Sequence, residues 1–198
     1  MTDNYTDVMV DVETTGLNPD KNSLLQIAAI KFNYDTEEIG PIFDRCLAPA
    51  PGRYWDEDTR TWWMGQRRST FTDIIARMED PVTVLRDFSG YALADSPSKP
   101  IRFWAKPVHF DFPFINLHYL QVGMVMPFHH RFTRDLNTHV AALGGSAEHQ
   151  DMPHIKAGGG AHNGLVDCVH QLKVLFAAKR GDFGAVDVEY AEFTEVEE

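Results

Sequence analysis

The chain has 198 residues and a net charge of −11, with 43% hydrophobic and 24% charged residues. These values are typical of a soluble globular protein, and the length suits one domain with a full hydrophobic core. No apolar run approaches the length of a membrane span, and the first residues lack the features of a signal peptide. The two cysteines, Cys46 and Cys168, are far apart and lack metal-binding spacing, which indicates a reduced, cytoplasmic setting with buried or free thiols.

The acidic charge is concentrated at the C-terminus. The last twelve residues contain six acids and no lysine or arginine, so the rest of the chain carries only −5. A phosphate-rich substrate is therefore not excluded, because bound divalent cations would offset the remaining negative charge of the body. We expect one domain over residues 1–180, followed by an acidic tail over residues 181–198 whose last nine residues are disordered or loosely docked.

The first apolar run, residues 7–13, predicts a β-strand because valines stand on both sides of Asp11. Residues two apart on a strand share a face, so Asp11 and Glu13 project together while Val10 and Val12 face a core. Two adjacent carboxylates repel each other, and a hard divalent cation with oxygen ligands relieves that repulsion. An exposed acidic strand end is the simpler interpretation of this pattern.

The following segments predict a mixed sheet with helices on its faces. Two strands are expected over residues 23–34 and 41–47, although the apolar run in the first of them also allows a helix. A second helix is expected to begin at Asp80-Pro81, and residues 101–105 predict a buried strand. An earlier short helix is expected before Asp80. Asp58 or Thr59 would be its N-cap, and it would carry Trp62, Trp63 and Gln66. This order of elements predicts an α/β fold.

Asp111 is a lone charge in an aromatic and aliphatic stretch. Acids in such surroundings are rarely buried without a partner or a metal. Because Pro113 stands where a helix would begin, we expect Asp111 at the start of a helix, close to the strand ends. A structural helix cap is the simpler alternative.

A late helix is expected after a loop that ends in three glycines. Asn163 is the predicted N-cap, which places His162 just before the helix and Asp167 near its first turn. These two side chains converge only if His162 belongs to the loop, since five residues on one helix would point them about 140° apart. A solvated loop histidine is the simpler interpretation. The segment over residues 146–160 predicts a mobile loop, and residues 132–138 predict the start of a further helix.

Together these elements resemble the DEDDh family of 3′–5′ exonucleases, which has a ribonuclease H-like fold. Residues 11–17 (Asp-Val-Glu-Thr-Thr-Gly-Leu) are similar to the first family motif, and residues 110–113 (Phe-Asp-Phe-Pro) to the second. His162 and Asp167 have the spacing of the third motif, and residues 134–138 are similar to an element that often precedes it.

Within that family, residues 61–63 (Thr-Trp-Trp) and 110–113 are most similar to the bacteriophage exonuclease A type and mycobacterial ribonuclease AS. Two departures affect substrate detail rather than the metal site. Asn163-Gly164 stand where many members have alanine or another helix former, and Pro107 stands where a polar residue often occurs.

The resemblance implies a hydrolase that releases nucleoside 5′-monophosphates from the 3′ end of single-stranded nucleic acid. Two Mg²⁺ or Mn²⁺ ions would be held by four carboxylates, Asp11, Glu13, Asp111 and Asp167. His162 would be the general base for the attacking water. Expected substrate contacts come from the strand end, aromatic rings and one arginine: Thr14, Thr15, Gly16, Leu17, Trp62, Trp63, Phe110 and Arg134. For the two tryptophans, core packing is the simpler interpretation. For Arg134, the simpler interpretation is a surface ion pair with Asp135.

DNA is the favoured substrate, and a 3′–5′ exoribonuclease is the alternative, because a 2′-OH contact can come from backbone or from any polar side chain. Two further classes remain open. One is a nucleic-acid-binding or polymerase-partner module with a dead site, although all five site positions are filled here. The other is a phosphatase or nucleotidase acting on small molecules. A homodimer is compatible with the sequence, which does not fix the oligomeric state.

Overall fold

The computed structural model describes residues 5–94, 100–145 and 163–183. Within these ranges, six strands form one mixed sheet in the order β4-β3-β2-β1-β5-β6. The strands are β1 (Asp7–Thr14), β2 (Leu24–Phe32), β3 (Ile39–Leu47), β4 (Met78–Glu79), β5 (Arg102–Ala105) and β6 (Thr133–Asp135). The helices are α1 (Glu57–Gln66), α2 (Arg68–Ala76), α3 (Pro81–Leu93), α4 (Val108–Gln121), α5 (Leu136–Ala142) and α6 (Gly164–Lys179). The predicted α/β class is confirmed.

The first three strands form an antiparallel meander, and β5 and β6 extend the sheet in parallel with β1. Every residue of β2 is buried, so this apolar run is a central strand and not the alternative helix. Helices α3 and α4 pack on one face of the sheet, and α5 and α6 pack on the other. Alternation along β1 therefore sends its valines to the first face and Asp11 and Glu13 to the face that carries α6.

Three local expectations are wrong or incomplete. The cap of α1 is Asp56, whose Oδ1 accepts the N–H of Thr59 at 2.9 Å. Asp58 and Thr59 lie inside the first turn, where the backbone no longer has the extended conformation of a cap. Helix α4 begins at Val108, so Pro113 lies inside it rather than at its start. Helix α2 and the short strands β4 and β6 were not predicted; residues 133–135, expected at the start of a helix, form β6, and α5 begins at Leu136.

The other helix starts agree with the sequence. Asp80 caps α3 and accepts the N–H of Thr83 at 2.8 Å, with proline at the first position. Asn163 caps α6, and Asp167 lies in its first turn. Both cysteines are free and buried. No helix in the described ranges has the length and apolarity needed to cross a membrane. The predicted mobile loop, His162 and nearly all of the acidic tail lie outside the described residues.

Candidate active site

Three carboxylates from two elements meet at one place. Asp11 and Glu13 project from β1, and Asp167 projects from the first turn of α6. Each offers an oxygen that lies within 4.8 Å of the other two. The end of β1 supplies two of these carboxylates and the first turn of α6 supplies the third, so their oxygens form a compact set of possible metal ligands.

The approach of α6 to the sheet depends on Gly164. A Cβ at this position would lie 3.0 Å from the Cβ of Ala28 and 3.3 Å from the carbonyl oxygen of Asp11. The N–H of Gly164 donates to Oε1 of Gln26 at 3.2 Å, which ties the first turn of the helix to β2. The absence of a side chain thus lets the helix N-terminus lie against β1 and β2.

Asp111 approaches this group from the opposite face of the sheet and affects the pKa of Asp11, although it is not one of the three carboxylates whose oxygens lie within 4.8 Å of one another. Strands β1 and β5 pair only as far as Met9 and Trp104, and α4 begins shortly after β5 ends. Beyond that point the N–H of Val12 donates to Oδ1 of Asp111 at 3.0 Å. The Asp111 side chain is only 3% exposed. The gap between two parallel strands, at their carboxyl ends, therefore admits a fourth carboxylate.

Burial and mutual repulsion dominate the electrostatics of this cluster. Burial raises the pKa of Asp11 well above its usual value, and the charges of Asp111, Asp167 and Glu13 raise it further. Burial and the charges of Asp167 and Asp111 likewise raise the pKa of Glu13. Burial raises the pKa of Asp111 to about 7. Burial and, for Asp11 and Glu13, neighbouring charges therefore oppose ionisation of these three groups, bound positive charge would favour it, and the hard oxygen donors fit Mg²⁺ or Mn²⁺.

A cavity of about 460 Å³ adjoins Glu13. This volume lies within the range of small-molecule sites. Its walls come from the end of β1, from α1 and from α4, and they consist of Val12, Glu13, Thr14, Leu17, Asp58, Thr59, Trp62, Trp63 and Phe110. Five of the predicted substrate contacts are in this set. Asp58 and Thr59 were expected only as helix caps.

Trp63 belongs to the core as well as to the cavity wall. It is 1% exposed, and its Nε1–H donates to the carbonyl oxygen of Thr14 at 3.2 Å. Trp62 contacts it edge-to-face, with ring centroids 5.0 Å apart. Trp63 therefore holds α1 against the end of β1, and Trp62 is the more accessible of the two rings.

Three other expected contacts are not part of the cavity wall. The Thr15 hydroxyl donates to the carbonyl oxygen of Tyr54 at 2.8 Å, and Gly16 packs against the side chain of Asn22. Both shape the turn after β1. Arg134 lies two strands from β1, and its Nη1 donates to the carbonyl oxygen of Thr133. Asp135 instead caps α5.

The family model of the 3′-5′ exoribonuclease Rv2179c-like domain matches residues 6–178. The chain belongs to this family. The match confirms the family predicted from the three motifs. The family is one of 3′–5′ exonucleases, so it also confirms the predicted class of enzyme at the level of the family. No curated protein sequence matches the chain.

Solved exonucleases share the fold of this Rv2179c-like domain. The zinc-bound complex of E. coli exonuclease I with single-stranded DNA is 15% identical, with a TM-score of 0.64 over 91% of this chain and 42% of that one. The nuclease domain of 3′hExo, a DEDDh family member bound to rAMP, is 14% identical, with a TM-score of 0.57 over 91% of this chain and 96% of that one. The chain thus spans less than half the length of exonuclease I. The predicted ribonuclease H-like fold is confirmed.

Two side chains of this Rv2179c-like domain act on the carboxylates but were not expected from the sequence. The Gln171 side chain donates from Nε2 to Oδ1 of Asp11 at 2.8 Å. It follows Asp167 by four residues on α6, and that helical spacing is a signal that could have identified it. The positive charge of Arg67 lowers the pKa of Glu13. No sequence pattern pointed to Arg67, because it lies at the junction of two short helices.

Of the histidines considered as the general base, one lies outside the described residues and one lies within them. His162 lies outside the described residues, and Asn163 follows it directly. His170 lies on α6, where burial and then the charges of Lys106 and Lys173 lower its pKa.

Proposed function

We propose that this chain is a metal-dependent 3′–5′ exonuclease that hydrolyses single-stranded nucleic acid to nucleoside 5′-monophosphates. The observation that carries the proposal is the meeting of Asp11, Glu13 and Asp167, with Asp111 held against β1 next to them, beside a cavity of nucleotide size. Membership of an exoribonuclease domain family supports the same reaction.

The four carboxylates would hold two divalent ions, Mg²⁺ or Mn²⁺. When bound, such ions neutralise charge on the phosphate and on the leaving oxygen. The protein's own contribution is to orient the ligands before the substrate arrives. The N–H of Val12 fixes Asp111, and the amide of Gln171 fixes Asp11. Each of these two hydrogen bonds goes to Oδ1 of its own carboxylate, and neither one engages Oδ2, which would be available to a metal ion.

The cavity would receive the 3′-terminal nucleoside. Phe110 and Trp62 offer ring faces for a base, and Leu17 is 77% exposed at the rim. Stacking on aromatic rings is tolerant of sequence, which suits an enzyme that removes successive nucleotides. A base must be unpaired to enter such a cavity, so the substrate would be a single-stranded end.

His162 would take the proton from the attacking water. A base acts only when neutral, so turnover should rise with pH through one ionisation. We predict that His162→Ala keeps metal binding and substrate affinity but loses about 10²–10⁴-fold in rate, the usual contribution of a positioned base. Rate–pH profiles of both proteins would check this, since the variant should lose the histidine limb. Loss of metal binding would instead make His162 a ligand, and an unchanged rate would direct the search to His154 or His170.

RNA is the substrate that the family description favours, whereas the sequence analysis favoured DNA. The deciding experiment offers matched 5′-labelled RNA and DNA strands with Mn²⁺, with Mg²⁺ and with chelator. A metal-dependent ladder of single-nucleotide steps, faster on RNA, is the expected result. Binding without digestion would identify a nucleic-acid-binding module, and hydrolysis of free nucleotides alone would identify a phosphatase. Asp11→Asn and Asp167→Asn should be inactive, and Asp73→Asn, an exposed acid on α2, serves as their control.

A further inference from the structure

Arg67 is a cation next to the carboxylate cluster, and none of its ion-pair or side-chain hydrogen-bond partners is among the described residues. Its Nε is buried and makes no hydrogen bond. Across the three described ranges its guanidinium forms no ion pair, in contrast to Arg45, Arg77 and Arg102, which each bind a carboxylate. A buried N–H without an acceptor costs free energy, so such groups usually have a partner in the functional state of a protein.

The backbone fixes Arg67 close to the end of β1. Arg67 lies between the two helices, as the C-cap of α1 and the N-cap of α2, and its N–H donates to the carbonyl oxygen of Trp63 at 3.3 Å. Trp63 in turn donates to Thr14, the residue after Glu13. The arginine therefore lies one helical turn from a side chain that is attached to the site. Its effect on the pKa of Glu13 agrees with this proximity.

The chemistry of guanidinium suits a phosphate better than a carboxylate at this position. Arginine presents a planar set of donors that matches phosphate oxygens. An ion pair with Glu13 would compete with metal ions for a ligand, and the structure contains no such pair. A phosphate at the metal site has non-bridging oxygens that accept hydrogen bonds and would supply the missing acceptor.

We propose that Arg67 binds the phosphate group at the metal centre. It would hold a non-bridging oxygen of the scissile phosphate before hydrolysis and the 5′-phosphate of the released nucleotide afterwards. The inference rests on the proposed exonuclease function, because it assigns a role within that same site. Arg67 is distinct from the five residues that the sequence motifs identify.

A purely structural role for Arg67 makes different predictions. As a counter-charge for Glu13 it would stabilise the fold and oppose cation binding, and its removal would affect nucleosides and nucleotides alike. As a phosphate ligand it would distinguish adenosine 5′-monophosphate from adenosine. Lysine at position 67 would restore the positive charge fully, but its ammonium group would replace the planar N–H donors of the guanidinium only in part.

The test measures the affinity of wild type, Arg67→Gln and Arg67→Lys for adenosine 5′-monophosphate and for adenosine, both with Mn²⁺. Arg68→Gln is the matched control, because Arg68 is the next residue and is exposed. We expect Arg67→Gln to lose about tenfold to a hundredfold in affinity for the monophosphate, the value of one or two charge-assisted hydrogen bonds, with adenosine unchanged. Arg67→Lys should be intermediate, and Arg68→Gln should match wild type. Melting with and without Mn²⁺ should show the fold and the metal site intact in all three variants.

Equal loss for both ligands, or full rescue by lysine, would overturn the inference in favour of a counter-charge. Unchanged monophosphate affinity in Arg67→Gln would overturn it outright, even if the wild type digests oligonucleotides. A wild type that prefers the monophosphate but digests no oligonucleotide would remove the proposed function, while Arg67→Gln would still report on the phosphate contact. If Arg67→Gln did not fold, Arg67→Lys would provide the same comparison, with no loss of monophosphate affinity as the contrary result.

Discussion

Gln171 is an uncharged side chain that donates a hydrogen bond to Asp11, one of the proposed metal ligands. It is buried, and its hydrogen bond lowers the pKa of Asp11 against the larger effects of burial and three neighbouring carboxylates. A donor on Oδ1 also fixes the orientation of the carboxylate, which leaves Oδ2 directed elsewhere. Mutation of residues that orient metal ligands in this way typically lowers metal affinity or activity by about 10–100-fold.

We predict that Gln171→Leu lowers Mn²⁺ affinity by about 10–100-fold and lowers activity with it. Leucine has a similar size but no donor, so the pKa of Asp11 should rise further and protons should compete better with the metal. The loss should therefore be larger at pH 6 than at pH 8, as measured by titration calorimetry. Gln121→Leu, which removes an exposed amide on α4, is the control. Equal Mn²⁺ affinity in Gln171→Leu and wild type would show that Asp11 needs no such support.

The sequence predicts the residues of the cluster better than it predicts their neighbours. Asp11 and Glu13 follow from alternation on a strand, and Asp167 follows from the cap at Asn163. Arg67 follows from no spacing rule. Gln171 has helical spacing from Asp167, but its hydrogen bond to Asp11, 160 residues away in the chain, depends on how α6 packs on β1. Local patterns identify ligands, whereas the groups that tune them depend on how distant elements pack.

At the scale of elements, the long strands and the capped helices were predictable, and the region between residues 56 and 79 was not. Helix α2 has no side-chain cap, and strand β4 has two residues, too few for any periodicity. Both depend on packing of Phe71 and Ile74 against the buried Trp63. For Trp63 the sequence allowed both a substrate contact and core packing; its burial shows that it packs in the core of this region, while it also lines the cavity.

His118 joins helix α4 to the start of β2. Its Nδ1 lies 2.8 Å from the carbonyl oxygen of Phe114, and its Nε2 accepts the N–H of Leu24 at 3.0 Å. This arrangement requires the neutral ring with its proton on Nδ1. Burial lowers the pKa of His118 to about 4, and the charge of Arg53 contributes in the same direction. The helix that carries Asp111 is thus held to the sheet by a histidine that must stay neutral.

We predict that His118 destabilises the protein as the pH falls from about 6.5 towards 4. The unfolded chain takes up the proton first, because its histidine has the higher pKa, so the free energy of unfolding should decrease by up to roughly 3 kcal/mol over this window. His118→Gln can accept the Leu24 N–H but does not titrate. Because the buried carboxylates act in the opposite direction over the same range, the measured quantity is a difference: in urea unfolding from pH 8 to 4, the free energy of unfolding of His118→Gln should increase relative to that of wild type as the pH falls, with the exposed His129→Gln as the control. Parallel curves for His118→Gln and wild type would contradict the assignment.

At the scale of the whole molecule, the site lies where the sheet opens between β1 and β5. Asp111 enters this opening from the face that carries α4, and Asp167 approaches from the face that carries α6. Two hydrophobic cores on opposite faces of the sheet therefore position one charged cluster. The mixed sheet was predictable from the order of elements, but this opening was not, because it depends on where the pairing of two strands 95 residues apart ends.

Concentrating four carboxylates in this opening makes the metal-free fold less stable than it could be. An acid whose pKa is raised on folding binds its proton more tightly in the folded state. Folding is therefore penalised once the pH exceeds the unfolded pKa of about 4, and the penalty is complete above the folded value. For Asp111 the folded value is about 7, so metal-free protein should lose stability between pH 4 and 7.

We predict that Mn²⁺ at 100 times its Kd raises the melting temperature of wild type at pH 8 by about 5–10 °C, since binding to the folded state alone contributes about 2.7 kcal/mol. Asp111→Asn should melt above wild type without metal, because the amide can still accept the Val12 N–H while one repulsive charge is gone. It should also show a smaller Mn²⁺ shift, because a ligand is lost. Asp73→Asn removes the same charge from an exposed pair with Arg77 and should keep the full shift. A wild type that Mn²⁺ does not stabilise, or an Asp111→Asn variant with an undiminished shift, would show that this cluster is not the metal site.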